Sequence, residues 1–367
     1  MHDSLTNNVS RRRFLRSAGC GTAAMLVAPA IVTAKKTDNR PILGEGDYRY
    51  EVFHDWPQLP DHLQWQTTQN VALDSEGLLY VMHQGLGDSS HRDTILIFDR
   101  QGKFVRSFGK EFHGGGHGIE IRNEDGQDFI YVAAYRKVRS IAKLDLRGEL
   151  VWRRGAPMEA GIYEAGEDQI EHIDGGKSRN RFHPTNTAFH PDGGFFVADG
   201  YGAYSIHQFD SEGNWIQHFG GLGSNEGEFD LPHGLWVDDR DPQHPSLVIS
   251  DRVNKRLQWF TLDGVHLRTQ GGFLLPANND VWGELMVVPD LVGRVTLLDR
   301  QNKVLAHLGD DSARVQADKK YTIRKDPSKW RSGKFIHPHD ACFDDEGNII
   351  VAEWVAAGRI TKLRLLN

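Results

Sequence analysis

Cysteine is nearly absent, with only two in 367 residues. Cys20 lies in an N-terminal stretch that reads as a removable leader. Only Cys342 is then left, and no internal disulfide can form, even in an oxidising compartment. A basic excess is also missing, since the formal net charge is −7. The leader contains Arg11, Arg12, Arg13 and Arg16, so its loss makes the remainder more acidic still. Such a surface does not suit nucleic acid. No apolar run is a good membrane span. The longest, SAGCGTAAMLVAPAIV, is too short and too rich in Gly and Ala. The sequence has no G-x-S-x-G, no P-loop and no dinucleotide fingerprint. No two-carboxylate constellation stands out. DSEGN (210–214) and DDEGN (344–348) lack the rest of an EF-hand and read as hairpin turns.

Glycine is plentiful at 39 residues, which points to many turns. The content of 39% hydrophobic and 25% charged residues is that of a soluble globular chain. At the start, Ser10-Arg11-Arg12-Arg13-Phe14-Leu15-Arg16 is a twin-arginine pattern, followed by the weakly apolar run. Ala28-Pro29-Ala30 or Val32-Thr33-Ala34 can end it as a small-residue cleavage site. Residues 1–34 are therefore expected to be a twin-arginine (Tat) signal peptide and 35–47 a linker. The expected location is periplasmic or secreted in a bacterial-type cell, after handling by the Tat export machinery. A membrane anchor or a basic tail is the plainer alternative.

Beyond the linker the chain repeats. Residues 181–220 read RFHPTNTAFHPDGGFFVADGYGAYSIHQFDSEGNWIQHFG. The order is an apolar strand, a D-x-x-G-like turn, a strand ending near V-A-D, a third strand, a second turn, and a strand closing on F-G. Five other segments share this order. They begin at NVALDSEG, GIEIRNEDG, GLWVDDRD, DVWGELMV and DACFDDEG, spaced by about 45 to 70 residues. This is the period of a four-stranded propeller blade with insertions. A sandwich would not repeat one order six times. The expected fold is an all-β, six-bladed β-propeller over residues 48–367. The sixth copy stops after its third strand, ITKLRLLN, and YRYEVFHDW (48–56) precedes the first copy as an orphan strand. It is expected to supply the missing outer strand of the last blade, which removes an open edge.

Equivalent positions of the innermost strands ring a propeller's channel. At the start of that strand, blades two, four and six carry His117-Gly118, His233-Gly234 and His339-Asp340. Blades one, three and five carry Gln69, Thr185 and Asn279. Histidine in alternate blades places three imidazoles about one axis. Three His with an open fourth position is a common catalytic zinc arrangement, although imidazole also suits iron, nickel or copper. The competing explanation is that His merely follows Pro at a turn, as in Pro232-His233 and Pro338-His339. His54, His190, His244 and His266 sit at turns or strand edges and are read as solvated. Asp340 can orient an imidazole, bind a hard cation lower in the channel, or cap a turn.

A second phase lies in the loop after the second strand. It contains His83-Gln84, Asp199-Gly200-Tyr201, Ser250-Asp251-Arg252 and Glu353-Trp354 in blades one, three, four and six. Tyr201 is placed for acid–base work and Arg252 for holding a carboxylate. Asp199 and Asp251 read as loop braces. Without the His ring, Tyr201 and Arg252 would read as ordinary rim residues.

Through these repeats and motifs, residues 48–367 resemble NHL-repeat propellers, and in particular the catalytic domain of peptidylglycine α-amidating lyase. The most specific parts are GLG…DTILIFD (85–99), the P-H-G and P-H-D sites, FHPTNTAF…VADGY and ISDRVNKRLQWF. The resemblance implies zinc on His117, His233 and His339. It also implies a structural calcium on the carbonyls of Val71 and Ile119 and the side chain of Asp340. Tyr201 matches the family's catalytic tyrosine and Arg252 one of its two active-site arginines. The implied reaction cleaves the N–C bond of a C-terminal α-hydroxyglycine to an amide and glyoxylate. The substrate would be a small molecule or a peptide C-terminus. The chain departs from the pattern at Gln84, where the family has its other arginine, and a neutral amide does not replace a guanidinium charge. Arg92 and His83 are the nearby candidates for that charge. Gly202 stands where animal enzymes have a disulfide cysteine. Two other readings share the fold: a periplasmic metallohydrolase or lactonase, and a non-catalytic NHL propeller that binds protein or peptide.

Overall fold

The computed structural model describes residues 40–85, 91–170 and 178–366. The expected leader (1–34) and the first residues of the expected linker lie outside them. The rest forms six antiparallel sheets in chain order. Their innermost strands are Thr68–Leu73, Gly116–Glu124, Asn186–Phe189, Pro232–Asp238, Asp280–Trp282 and Pro338–Phe343. Blades one to five have four strands each. Blade six has Pro338–Phe343, Ile349–Glu353 and Arg359–Leu365, and then Tyr50–Phe53 pairs with Arg359–Leu365 as its outer strand. The expected closure by an N-terminal strand is present. Ile42–Leu43, within the expected linker, adds a short fifth strand beyond it.

The repeated turn explains the strand spacing. In blade one, Asp74 Oδ1 accepts from Glu76 N at 3.0 Å and Leu78 N at 2.8 Å, and Gly77 adopts φ +79°. A side-chain acceptor at the first position and a residue free to take positive φ at the fourth make the turn self-contained. Blade five has Asn302 in place of Gly, at φ +64°, a conformation Asn tolerates better than most residues.

Both faces of each blade are apolar, so each blade buries a face against either neighbour. Six clusters result, one per interface. Ile95, Ile97, Ile130 and Val132 join blades one and two, and Val248, Trp259, Met286 and Val288 join four and five. Val287, Leu297, Val351 and Leu363 join five and six, and Val81, Leu96, Ile350 and Ile360 close six onto one. Among the described residues the blades are held together by these six interface clusters rather than by one central core, around a channel walled by the inner strands. His54, read as solvated, is partly buried. It bonds Thr361 Oγ1 at 2.9 Å and accepts from Gly333 N at 3.0 Å, fastening the closing strand.

Candidate metal centre and channel mouth

His117, His233 and His339 are each the second residue of an inner strand, and each sits in a register shift. The pairing slips between Gly116 and Gly118, Pro232 and Leu235, and Pro338 and Asp340. A bulge frees one residue from the alternation and re-aims its side chain, here into the channel. All three imidazoles are at most 2% exposed, and they offer nitrogens within 4.8 Å of one another. Each Nδ1 lies 2.7 Å from a carbonyl of the next odd blade: His117 to Thr185, His233 to Ala277, His339 to Gln69. A carbonyl only accepts, so each Nδ1 carries the proton and each Nε2 keeps its lone pair. His117 Nε2 and His233 Nε2 stand 3.1 Å apart. Burial first, then the neighbouring imidazoles and Arg252, hold His233 and His339 well below the usual histidine pKa. Three neutral donors facing one another with no proton between them fit a metal ion.

The same three carbonyls correct the reading of blade five. Gln69, Thr185 and Ala277 are the equivalent residues, so Ala277 takes the place expected for Asn279. The blade's inner strand is only three residues long, Asp280–Trp282, and the run Asn278-Asn279-Asp280 offers no apolar landmark for its phase. Glycine after the first two histidines follows from the same contacts. A Cβ at Gly118 would lie 2.4 Å from the Thr185 carbonyl oxygen, and one at Gly234 2.6 Å from that of Ala277.

Tyr201 stands above the ring. Its Oη is 3.2 Å from His233 Nε2 and accepts from Arg252 Nη1 at 3.1 Å. Arg252 is 5% exposed, and its Nε and Nη2 have no hydrogen-bond partner among the described residues. A buried guanidinium with two idle donors is costly unless an anion arrives. Gln84 donates to Tyr135 Oη, and the Tyr135 ring packs 4.8 Å from His117 and 5.3 Å from Tyr201. His83 does not supply the charge missing at Gln84: burial, then His91 and His113, push its pKa down to about 3. Arg92 is exposed.

The Tyr201 loop is braced from below. Asp199 accepts from His183 N at 2.7 Å, Ala203 N at 2.7 Å and the Tyr163 hydroxyl at 2.8 Å. Trp215 Nε1 donates to His207 Nδ1 at 3.2 Å, so His207 Nε2 carries the proton toward Tyr163 Oη, 2.6 Å away. Four side chains thus form one directed chain ending on a carboxylate. Sequence reading found Asp199 but missed Tyr163, which sits in the insertion between blades two and three and follows no repeat. Tyr135 did have a signal, because it fills in blade two the loop phase that Tyr201 and Arg252 fill in blades three and four.

Asp340 lies lower in the channel. Its Oδ2 accepts from Val71 N at 2.8 Å and its Oδ1 from Asn278 Nδ2 at 2.5 Å. Ile119 reaches this level through its N–H, 3.3 Å from Asn70 Oδ1. Asp340, Glu120 and Asp280 line or adjoin a cavity of about 240 Å³ that has no basic residue in its wall. Burial pushes Asp340 up to about 6, Asp280 up to about 7, and Glu120 well above the carboxylate range. Asn279 is fully buried and its amide has no partner among the described residues. Uncompensated carboxylates and idle amide oxygens are donors suited to a hard cation. A wider groove of about 790 Å³ around Arg122, Phe189 and Trp236 shares no residue with the His ring.

No protein-family model matches the chain. Peptidyl-glycine alpha-amidating monooxygenase A of Xenopus laevis is 27% identical over 250 residues, covering 61% of this chain and 24% of that protein. A probable peptidyl-alpha-hydroxyglycine alpha-amidating lyase of Caenorhabditis elegans is 28% identical over 172 residues, 46% of this chain and 43% of that protein. The chain thus spans between about a quarter and less than half the length of these curated relatives. Among solved structures, a streptogramin B lyase superposes with TM-score 0.53 at 12% identity, covering 86% of this chain and 98% of that one. A gluconolactonase from Xanthomonas campestris gives 0.57 at 14%, covering 89% and 95%. At such identities the solved structures show the fold alone. The chain is a six-bladed, NHL-like propeller that resembles the amidating-lyase domain.

Proposed function

We propose, starting from this resemblance, that the propeller is a metal-dependent lyase. It cleaves the C–N bond of an α-hydroxyglycine or a closely related carbinolamide. One observation carries the reading: three Nε2 lone pairs converge beneath a tyrosine hydroxyl that is held by a buried arginine with idle donors. Bound to His117, His233 and His339, zinc would supply Lewis acidity toward the substrate's hydroxyl oxygen. Arg252 binds the carboxylate through the donors that lack partners. Tyr201 Oη is the atom placed to move the proton. The α-hydroxyl loses its proton, its oxygen forms the aldehyde C=O, and the C–N bond breaks with its electron pair on nitrogen. Nitrogen takes up a proton to give the neutral amide, and glyoxylate leaves. Nothing is oxidised or reduced. Tyr201 Oη takes the hydroxyl proton and gives one to nitrogen, and Arg252 Nη1, which donates to Oη, offsets the negative charge on that oxygen whenever it is without its proton.

A structural calcium at Asp340 belongs to the same reading, with the carbonyls of Val71 and Ile119 as the further ligands. So does export by the Tat route from the leader read in residues 1–34. The Xanthomonas gluconolactonase shares the fold, which keeps a metallohydrolase as the second reading. The test uses zinc-loaded protein and N-benzoyl-α-hydroxyglycine. Stoichiometric glyoxylate is expected. Tyr201→Phe should lower kcat by about 10²- to 10⁴-fold with zinc retained. An unchanged rate removes Tyr201 from proton transfer. No glyoxylate, together with hydrolysis of a sugar lactone, establishes the second reading instead.

A further inference from the structure

Arg252 is one fixed cation at the mouth. A second is carried by the insertion between blades five and six. There the short helices Ser312–Ala317 and Thr322–Lys325 pack through Val315 and Ile323 onto Ile336 and Val355, forming a small core separate from the six between blades. This core fixes the insertion against blade six at the His339 end of its inner strand. Arg324 projects from the second helix. Its guanidinium carbon lies 3.6 Å from the centre of the Trp354 ring, its Nε donates to the Trp354 carbonyl at 3.0 Å, and its Nη2 reaches Thr67 Oγ1 at 3.4 Å. Trp354 occupies in blade six the loop phase that Tyr201 and Arg252 occupy in blades three and four. Thr67 immediately precedes the first inner strand, and its carbonyl accepts from Gln84 N at 3.0 Å. Arg324 therefore sits on the rim at the junction of blades six and one, beside the blade where Gln84 is neutral.

Stacking on an aromatic face and one backbone bond hold the guanidinium plane in place. No carboxylate pairs with it among the described residues. Trp354 N donates to the carbonyl of His337, two residues before His339, and Thr67 lies two residues before Gln69, whose carbonyl bonds His339, so Arg324 sits at the mouth rather than in bulk solvent alone. A purely structural pin explains the Trp354 stack and the Nε bond. It does not explain why the pin is a cation left without a counter-ion above a ring of neutral imidazoles.

We propose that Arg324 is the second arm of an anion clamp. With Arg252 across the mouth, it holds a carboxylate-bearing substrate over the three histidines, and it makes the site prefer anionic ligands to their neutral counterparts. The Gln84–Tyr135 pair is itself uncharged, and Arg136, over the Tyr135 ring at 5.1 Å, is the exposed cation beside it. The clamp rests on the lyase reading only for the identity of the substrate.

The test compares the wild type with Arg324→Gln and Arg324→Lys in zinc-loaded full-length protein. Calorimetry measures binding of N-benzoylglycine, a stable anion, and of its neutral amide. Steady-state kinetics use N-benzoyl-α-hydroxyglycine. Arg324→Gln should weaken the anion about tenfold, leave the amide unmoved, and raise KM with little change in kcat; Arg324→Lys should restore part of the loss. Equal weakening of anion and amide, or no weakening of either, overturns the clamp. So does a wild type that does not bind N-benzoylglycine. If the anion binds through Arg324 but no glyoxylate is released, the lyase reading fails and the clamp stands. If Arg324→Gln turns over with the wild-type KM, the clamp fails and the lyase stands.

Discussion

At the level of His117, His233 and His339, the channel wall presents neutral nitrogen donors, with Tyr201 and Arg252 above them. A step further along the same strands, the wall at Glu120 and Asp340 presents carboxylates. His339 and Asp340 are adjacent in sequence, and in a regular strand they would point to opposite faces. The register shift between Pro338 and Asp340 lets both serve the channel at different depths. Neutral imidazoles can be buried without a counter-charge, whereas buried carboxylates cannot be held cheaply without one. The upper half therefore suits a nitrogen-ligated metal and an anionic substrate. The lower half suits a hard cation. One axis keeps the two apart because their donors differ in kind.

Emptying the upper half should have the largest effect. His233→Ala removes one of the three nitrogens, and zinc per chain, measured by elemental mass spectrometry, should fall from about one to near zero. Glyoxylate release should go with it, while calcium stays near wild type; the thermal transition should fall as well, because a metal that binds only the folded chain stabilises it. Retention of zinc would mean that the upper half does not bind metal through this ring. Asp340→Asn addresses the lower half and should do the reverse. Zinc should remain, calcium should be lost, and the transition should fall by several degrees. A calcium chelator should lower the wild-type transition toward that of the variant and leave the variant unmoved. Equal chelator sensitivity in both proteins would remove Asp340 from the proposed calcium site.

The period of six and the closing strand were legible because the blades repeat two chemical necessities, a self-capped turn of the D-x-x-G kind (T-x-x-G at Thr261 in blade four, D-x-x-N at Asp299 in blade five) and strands apolar on both faces. The His ring was legible for a related reason: it recurs in one phase of alternate blades. Phase failed in blade five, where a three-residue strand and the polar run Asn278–Asp280 left nothing to align, and only the carbonyls bonded to the histidines revealed the equivalence of Ala277. Tyr163 and Arg324 were not legible at all. They lie in insertions that belong to one blade junction each, and their positions follow from packing rather than from a period. His54 looked like a turn residue because its partners, Thr361 and Gly333, are hundreds of residues away in sequence.

The smallest effect sharpens the comparison through protons rather than metals. The upper half stands on His207, which is fully buried between Tyr163 and Trp215, with His218 nearby. Burial, then His218, pushes its pKa from 6.5 down to about 3. Above pH 6.5 both folded and unfolded states hold it neutral, and its contribution is complete. As pH falls below 6.5 the unfolded chain takes up a proton that the folded chain refuses until about pH 3, so stability is lost across that window. The loss can reach about 1.4 kcal/mol per pH unit. Asp199, at the other end of the same chain of hydrogen bonds, is pushed by burial up to about 6. It acts in the opposite sense, since the folded state binds its proton first, and it offsets part of the loss between about pH 6 and 4. Urea unfolding from pH 7 to pH 4 should therefore show a shallow decline in the wild type. In His207→Gln the decline should flatten or reverse, and in Asp199→Asn it should steepen. If both variants keep the wild-type slope, neither group carries the pH dependence of this half of the channel.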